Sequence, residues 1–395
     1  MTKNQQAHSQ SEIAQSLYDS YEIYKRKEII SRRFNQTDML RWLQPMVASN
    51  IVRTTDLGRS AEGRAISLYD YGDGPIKVLL WSQMHGDEPT ATMALLDILN
   101  FFAIQKEDEI AKTIRENLSL LIIPMLNPDG AERFTRRTAQ LIDMNRDAVA
   151  LRTPEAQILK DVQYKYRPQF GFNLHDQEAR LTVGTTKNVA SIALLAPATD
   201  SSRTDNDVRF KAKKVAAVLA EVFNQLVPGH TAKYDDTFDR RAFGDSVQLW
   251  GTSTVLIESG GWPNDRDKMQ IRKLNCVGLL TALHSIAIAE YAKKDVSDYE
   301  SLPFNSKNLF DVIVRGVEFK GAAGTRAVRV DIGINIEELN NDPDRTRLMA
   351  KVVDIGDLAS YGAFEEREGK GITISSSDIQ LERSVPWDDL KILLK

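Results

Sequence analysis

The sequence holds a single cysteine, Cys276, among its 395 residues, which excludes an intramolecular disulfide framework and any structural zinc site built from several thiolates. A metal, if the chain binds one, must be held by histidine and carboxylate. Neither sign of charge dominates: 51 Lys plus Arg face 55 Asp plus Glu, for a formal net charge of −4. No broad basic field is therefore available to grip nucleic acid or an anionic membrane. No apolar run reaches the roughly 20 residues that a membrane span requires; the nearest approach, residues 276–292, is interrupted by His284 and Glu290. The opening MTKNQQAHSQSEIAQ carries no apolar stretch behind its first lysine, so no secretory signal is expected and the cytoplasm is the expected compartment. With 42% hydrophobic and 27% charged residues the composition is that of a globular protein, and the length suits two or three domains at about 150 residues each.

Residues 1–50 place Leu17, Tyr21, Tyr24, Met39, Leu40 and Leu43 at helical spacing, which predicts a helical lead-in. From Ile76 onward, short apolar runs alternate with longer amphipathic ones. Strands are expected at 76–81, 118–126, 170–174, 190–196 and 252–258, and helices at 89–104, 205–227 and 267–293. This predicts an α/β domain over 51–295, with a mixed, mostly parallel central sheet flanked by helices. The stretch KKDVSDYESLPFNSKN, at 293–308, has charge, Pro and Ser without periodicity and reads as a linker. Alternating patterns at 309–334 and 350–384 then predict a small β-rich C-terminal domain over 300–395, with one short helix at 342–350.

The chemistry-bearing residues gather at strand ends. His85 and Glu88, in the HGDE segment after the strand at 76–81, are three residues apart and can both reach one ion, although an H-x-x-E pair also arises by chance. His175 closes the strand at 170–174, where the alternative is a hydrogen-bonded strand-end histidine. Two His and one Glu would leave a fourth zinc position open for water, the arrangement of a catalytic site. Glu258 ends the run TSTVLI and precedes Ser-Gly-Gly; it suits a general base beside a metal or, more blandly, a salt-bridge partner. Gly260 and Gly261 after it favour close approach of another group. The segment from Arg136 to Arg146 offers arginines that can meet an oxyanion, grip a carboxylate, or merely face solvent. His8, His230 and His284 read as parts of a polar tail, a loop after Pro228-Gly229 and a helix face.

Taken in order, HGDE at 85–88, NPDG at 127–130, R-x-x-x-x-x-x-D-x-N-R at 136–146, the Leu174-His175 pair and strand-terminal Glu258 resemble the zinc carboxypeptidase, or funnelin, metallopeptidase family in its compact bacterial type, over about 75–295. The resemblance implies one Zn2+ per chain, with His85, Glu88 and His175 as ligands and Glu258 as general acid and base. It also implies Arg136 as the oxyanion donor, and Asn145 with Arg146 as the pair that binds a substrate's terminal carboxylate. Asp87 stands where digestive members often carry arginine. Tyr234 and Phe243 are the candidates for a residue over the substrate, and Arg240 and Arg241 could favour an acidic side chain.

The expected function is a zinc-dependent metallocarboxypeptidase acting on a peptide, with no nucleic-acid or membrane partner. Two zinc hydrolases remain as alternatives: a deacylase of small N-acyl amino acids, similar to aspartoacylase and succinylglutamate desuccinylase, and an amidase of peptidoglycan peptides. From another class comes a non-catalytic binding protein on the same fold.

Overall fold

The computed structural model describes residues 9–321, 325–339 and 347–394; His8 lies outside them. The lead-in holds two helices, α1 (Gln10–Tyr24) and α2 (Gln36–Ala48). Each opens on a capping box, Ser9 with Glu12 and Asn35 with Asp38, whose side chains satisfy donors that a first turn leaves free. Leu17, Tyr21, Tyr24, Met39 and Leu43 are buried, whereas Leu40 is exposed.

The central part contributes β1 (Arg53–Arg59), β2 (Ala65–Tyr71), β3 (Ile76–Ser82), β4 (Leu118–Ile123), β5 (Phe170–Asp176), β6 (Thr182–Val183), β7 (Ile192–Leu195), β8 (Thr231–Lys233) and β9 (Ser253–Ser259). Helices α3 (Thr90–Ile104), α4 (Glu109–Asn117), α5 (Pro128–Arg133), α6 (Pro154–Tyr166), α7 (Asp207–Leu226), α8 (Phe243–Leu249) and α9 (Met269–Ala287) connect them. Eight strands form one sheet in the order β1-β2-β4-β3-β5-β9-β7-β8. Pairing is parallel from β4 through β3 and β5 to β9 and again between β7 and β8; it is antiparallel elsewhere. The sheet is thus mixed, as the alternation of runs predicts. The β1–β2 hairpin was not foreseen, because edge strand β1 is exposed or half-buried throughout and so carries no apolar run.

Side chains alternate across the sheet. Val78 and Leu80 of β3 join the core under α1, α3, α7 and α9, while Leu79 and Trp81 join the core under α6 and α8. From β3 the chain passes through α3 to β4 on one side, and β5 later takes the other side. A switch point therefore opens at the carboxyl ends of β3 and β5, where open α/β sheets receive ligands. No helix among the described residues is long and apolar enough to cross a membrane.

Residues 294–308 are built into the body rather than strung between domains. Helix α10 (Ser297–Glu300) buries Tyr299, whose hydroxyl accepts from the Ala196 amide at 3.0 Å, and β10 (Asn305–Ser306) pairs with β6. Beyond it, β11 (Leu309–Lys320), β12 (Val328–Leu339), β13 (Arg347–Gly356), β14 (Gly362–Glu368), β15 (Thr373–Ser375) and β16 (Val385–Pro386) form a second sheet that α11 (Trp387–Leu393) helps to cover. The helix expected at 342–350 is not found in its described part. Residues 342–346 lie outside the described residues, and Arg347–Ala350 run in β13, where β12 supplies the backbone partners from Leu339 to Ile336. Strand pairing there overrides local helix propensity.

One buried ion pair ties the lead-in to the core. Asp97 of α3 and Arg272 of α9 are almost wholly buried and meet through two hydrogen bonds of 2.7 Å. Asp97 also accepts from the Tyr21 hydroxyl at 2.5 Å and the Arg26 amide at 2.7 Å. Arg272 donates in turn to the Arg26 and Ile29 carbonyls. Removing one partner of such a pair leaves the other buried and uncompensated. Asp97→Ala is accordingly expected to cost about 3–5 kcal/mol in urea unfolding, and Tyr21→Phe roughly 2 kcal/mol. Equal and small losses for both would contradict this role for Asp97.

Candidate active site

Strand β3 hands over to α3 through a tight loop at 83–89. Gln83 takes a left-handed φ of +53°, and its side chain donates to the Gly86 carbonyl at 2.9 Å. The NPDG segment braces this loop from below: Asn127 Nδ2 donates to the Met84 carbonyl at 3.2 Å, and its Oδ1 accepts from the Gly130 amide at 2.9 Å. Gly86 lies so close to the Gly130 backbone that a Cβ there would collide with it, which explains why glycine occupies that turn.

The loop points His85 and Glu88 at the end of β5. His85 Nδ1 lies 2.7 Å from Glu88 Oε1, and His175 Nδ1 lies 2.7 Å from Glu88 Oε2. Ligand atoms of all three residues fall within 4.8 Å of one another, and all three residues are buried. Two imidazole nitrogens and a carboxylate at this spacing form a donor set that fits zinc with a fourth position for water. His85 Nε2 lies 3.0 Å from Asp143 Oδ1, the outer carboxylate contact that usually fixes the ring of a metal-binding histidine. His175 Nε2 is buried and has no partner among the described residues.

Charge in this pocket follows burial and neighbours. Burial works against a charged His85, but Glu88 and Asp143 outweigh it and push the ring up to about 9. Burial also opposes ionisation of Glu88 and Asp143, yet the histidines and Arg136 beside them hold both well below the usual carboxylate range. Glu258 goes the other way. It is 7% exposed, and desolvation followed by the Glu88 charge pushes it up to about 8. The parallel register of β5 and β9 sets Glu258 directly opposite His175.

The remaining candidates surround this group. Arg136 Nη1 lies 3.1 Å from both His85 Nδ1 and Glu88 Oε1, while its Nε and Nη2 donate to Asp143. Asn145 Oδ1 accepts from the Phe243 amide at 2.8 Å. Arg146 is partly exposed, 3.5 Å from Asp239. Tyr234 follows β8, and its phenol is raised to about 12 by the Glu258 charge and then by burial, with Arg136 and Arg146 opposing. Phe243, the other residue considered for a position over the substrate, is instead fully buried in the core beneath α8. Arg240 and Arg241 are exposed, and Arg241 pairs with Asp239 at 3.0 Å. Asp143 is the residue that sequence reasoning quoted without a role. Its place two residues before Asn145 was visible, but its contact with His85 depends on how the loop folds. The glycines after Glu258 do admit neighbours: a Cβ on Gly261 would stand 2.8 Å from Cζ of Phe364 in β14. His230 bonds the Val189 carbonyl and packs against Trp262, and His284 lies on α9; neither joins the His85–Glu88–His175 group.

Residues 39–213 match the family described as zinc carboxypeptidase; the match stops before Glu258, which the sheet register brings in. The chain is 28% identical over 144 residues to probable carboxypeptidase 2 of Arthroderma benhamiae, covering 36% of this chain and 27% of that protein. It is 28% identical over 218 residues to carboxypeptidase 2 of Trichophyton equinum, covering 54% of this chain and 38% of that protein. The chain thus spans well under half the length of these relatives. In fold it is similar to a metallo-carboxypeptidase from Burkholderia cenocepacia, with a TM-score of 0.52 at 18% identity over 65% of this chain and 70% of that one. Over residues 39–213 the chain is thus similar to the zinc carboxypeptidase family.

Proposed function

We propose that the protein is a zinc-dependent metallocarboxypeptidase that hydrolyses the amide bond next to a free carboxylate. The observation that carries this reading is the His85–Glu88–His175 group with Glu258 set opposite His175 by strand register. His85, Glu88 and His175 would hold one zinc per chain. When bound, zinc supplies Lewis acidity that brings a coordinated water towards a pKa of about 7 and polarises the scissile carbonyl.

The rest of the chemistry belongs to side chains. Glu258 takes the proton of the attacking water and passes it to the leaving amine. Its buried position excludes competing solvent, and a nearby dication would draw its pKa down from the metal-free value by favouring the carboxylate. Arg136, already aimed at the ligand group, donates to the oxygen that gains charge, a contribution of about 3 kcal/mol for one such donor. Arg146 holds the substrate's carboxylate through its planar fork, with Asn145 beside it. Tyr234 covers the reacting end of the substrate.

Glu258→Gln should lower kcat by about 10²–10⁴-fold while zinc content stays unchanged. Because the base must be ionised, wild-type kcat/KM should fall as the pH drops through the Glu258 ionisation, which bound zinc sets lower than the metal-free value of about 8. The variant's residual rate should lack that acidic limb, and a loss under tenfold would count against Glu258 as the base. Arg146→Ala should raise KM about 10–100-fold for peptides with a free carboxylate, as loss of a charged hydrogen bond of about 1.5–3 kcal/mol requires. Peptides capped as amides should change little, and equal loss on both would remove the clamp from the mechanism.

A further inference from the structure

A cavity of about 570 Å³ runs from the metal-ligand group to the C-terminal sheet, within the range of roughly 300–1,000 Å³ that small-ligand pockets occupy. At one end it is lined by Asp87, Glu88 and Asp176, and at the other by Asp311, Glu337 and Phe364. Asn145, Arg146, Tyr234 and Glu258 do not line it. The cavity thus takes in Glu88 of the ligand group and none of the residues assigned to the substrate's carboxylate end. For a peptide held at its carboxylate by Arg146, with its scissile carbonyl at the ligand group, this cavity offers room beside Glu88 for the residues that precede the cleaved bond.

The far wall of the cavity is fixed to the central part at several points. Arg180 bonds Asp311 at 3.0 Å and the Ile336 carbonyl at 3.2 Å. Arg32 and Arg33 both reach Glu338, at 3.1 and 2.6 Å, and stack over Phe134. Phe364 sits against Gly261, three residues after Glu258, beside the half-buried ring of Trp262. The lining is also charged in one direction: nine carboxylates stand against five Lys and Arg. A dication at the ligand group would offset only part of that surplus. Asp87, on the same lining, has a buried oxygen, Oδ1, with no partner among the described residues, a group for which burial without a donor is costly.

We infer that the C-terminal sheet is part of the substrate-binding surface, and that the cavity receives the amino-terminal end of a short peptide, its free amine among the carboxylates and its side chain against Phe364 and Trp262. The inference rests on the carboxypeptidase reading for the direction of the substrate. It gives the C-terminal sheet a role in selecting peptides that present a free amine just upstream of the cleaved bond.

The test uses the full chain loaded with zinc, and tripeptides with a common last pair of residues, each with a free or an acetylated amino end, beside the N-acetyl dipeptide of that pair. The free tripeptide should be cleaved with a kcat/KM at least tenfold above its acetylated form. Phe364→Ala should lower kcat/KM for the free tripeptide at least fivefold and leave the N-acetyl dipeptide within twofold; Phe364→Leu, which keeps an apolar group against Gly261, should recover part of the loss and controls for folding. Equal cleavage of free and acetylated tripeptides, or an equal loss on every substrate in Phe364→Ala, would overturn the inference. Calorimetric binding of the same peptides to zinc-loaded Glu258→Gln keeps the two readings apart. Amine-dependent, Phe364-dependent binding without cleavage by the wild type would defeat the proposed reaction and retain the cavity, whereas no binding of any tripeptide would remove the cavity assignment.

Discussion

The structure turns on one buried negative charge. Glu88 is 7% exposed, and an isolated carboxylate in such a place is costly unless cations or donors meet it. Both of its oxygens are met, one by each histidine, and Arg136 approaches the same group. The Glu88 and Asp143 carboxylates outweigh burial at His85 and push its ring up to about 9, whereas burial lowers His175, so the group holds negative charge that a cation can meet. A dication satisfies it at once, releasing the proton as ligands generally do.

What holds Glu88 there is spread across the fold. It precedes α3, whose first residue, Thr90, donates to Asp176 next to His175. Lys268, buried before α9, bonds the same Asp176 carboxylate and the Ser259 carbonyl next to Glu258. The ends of β3, β5 and β9 are thereby tied to one another by polar contacts as well as by strand register. Further along α3, Asp97 locks the same helix to α9 and to the lead-in. The helix that opens beside His85 and Glu88 is thus anchored by polar contacts near its start and again at Asp97, and such anchoring holds a group of side chains in a fixed geometry.

Much of this was legible in the sequence, for reasons that can be named. Buried strands such as IKVLLW are apolar on both faces because helices cover both sides of the sheet, and their ends advertise His85, His175 and Glu258. The mixed α/β sheet and the lead-in helices followed from the same periodicities. What was not legible depends on contacts between distant segments. Phe243 looked free to cover a substrate, but its place at the start of α8 buries it beneath the sheet. The polar stretch before β11 looked like a linker, yet Tyr299 and the β6–β10 pairing seat it in the body. Arg347–Ala350 looked helical in isolation and became strand because β12 lies alongside. Asp143 and Phe364 reach the site's surroundings only through tertiary folding: the motif at 136–146 contains Asp143 without showing its partner, and no local pattern marks Phe364.

The central claim is that His85, Glu88 and His175 together bind one metal ion. Its most direct test is the metal content, by plasma mass spectrometry, of the purified protein beside a folded His175→Ala variant after equilibration with zinc and gel filtration. One zinc per chain in the wild type and almost none in the variant is the predicted result. Equal zinc in both proteins, or none in either, would contradict it.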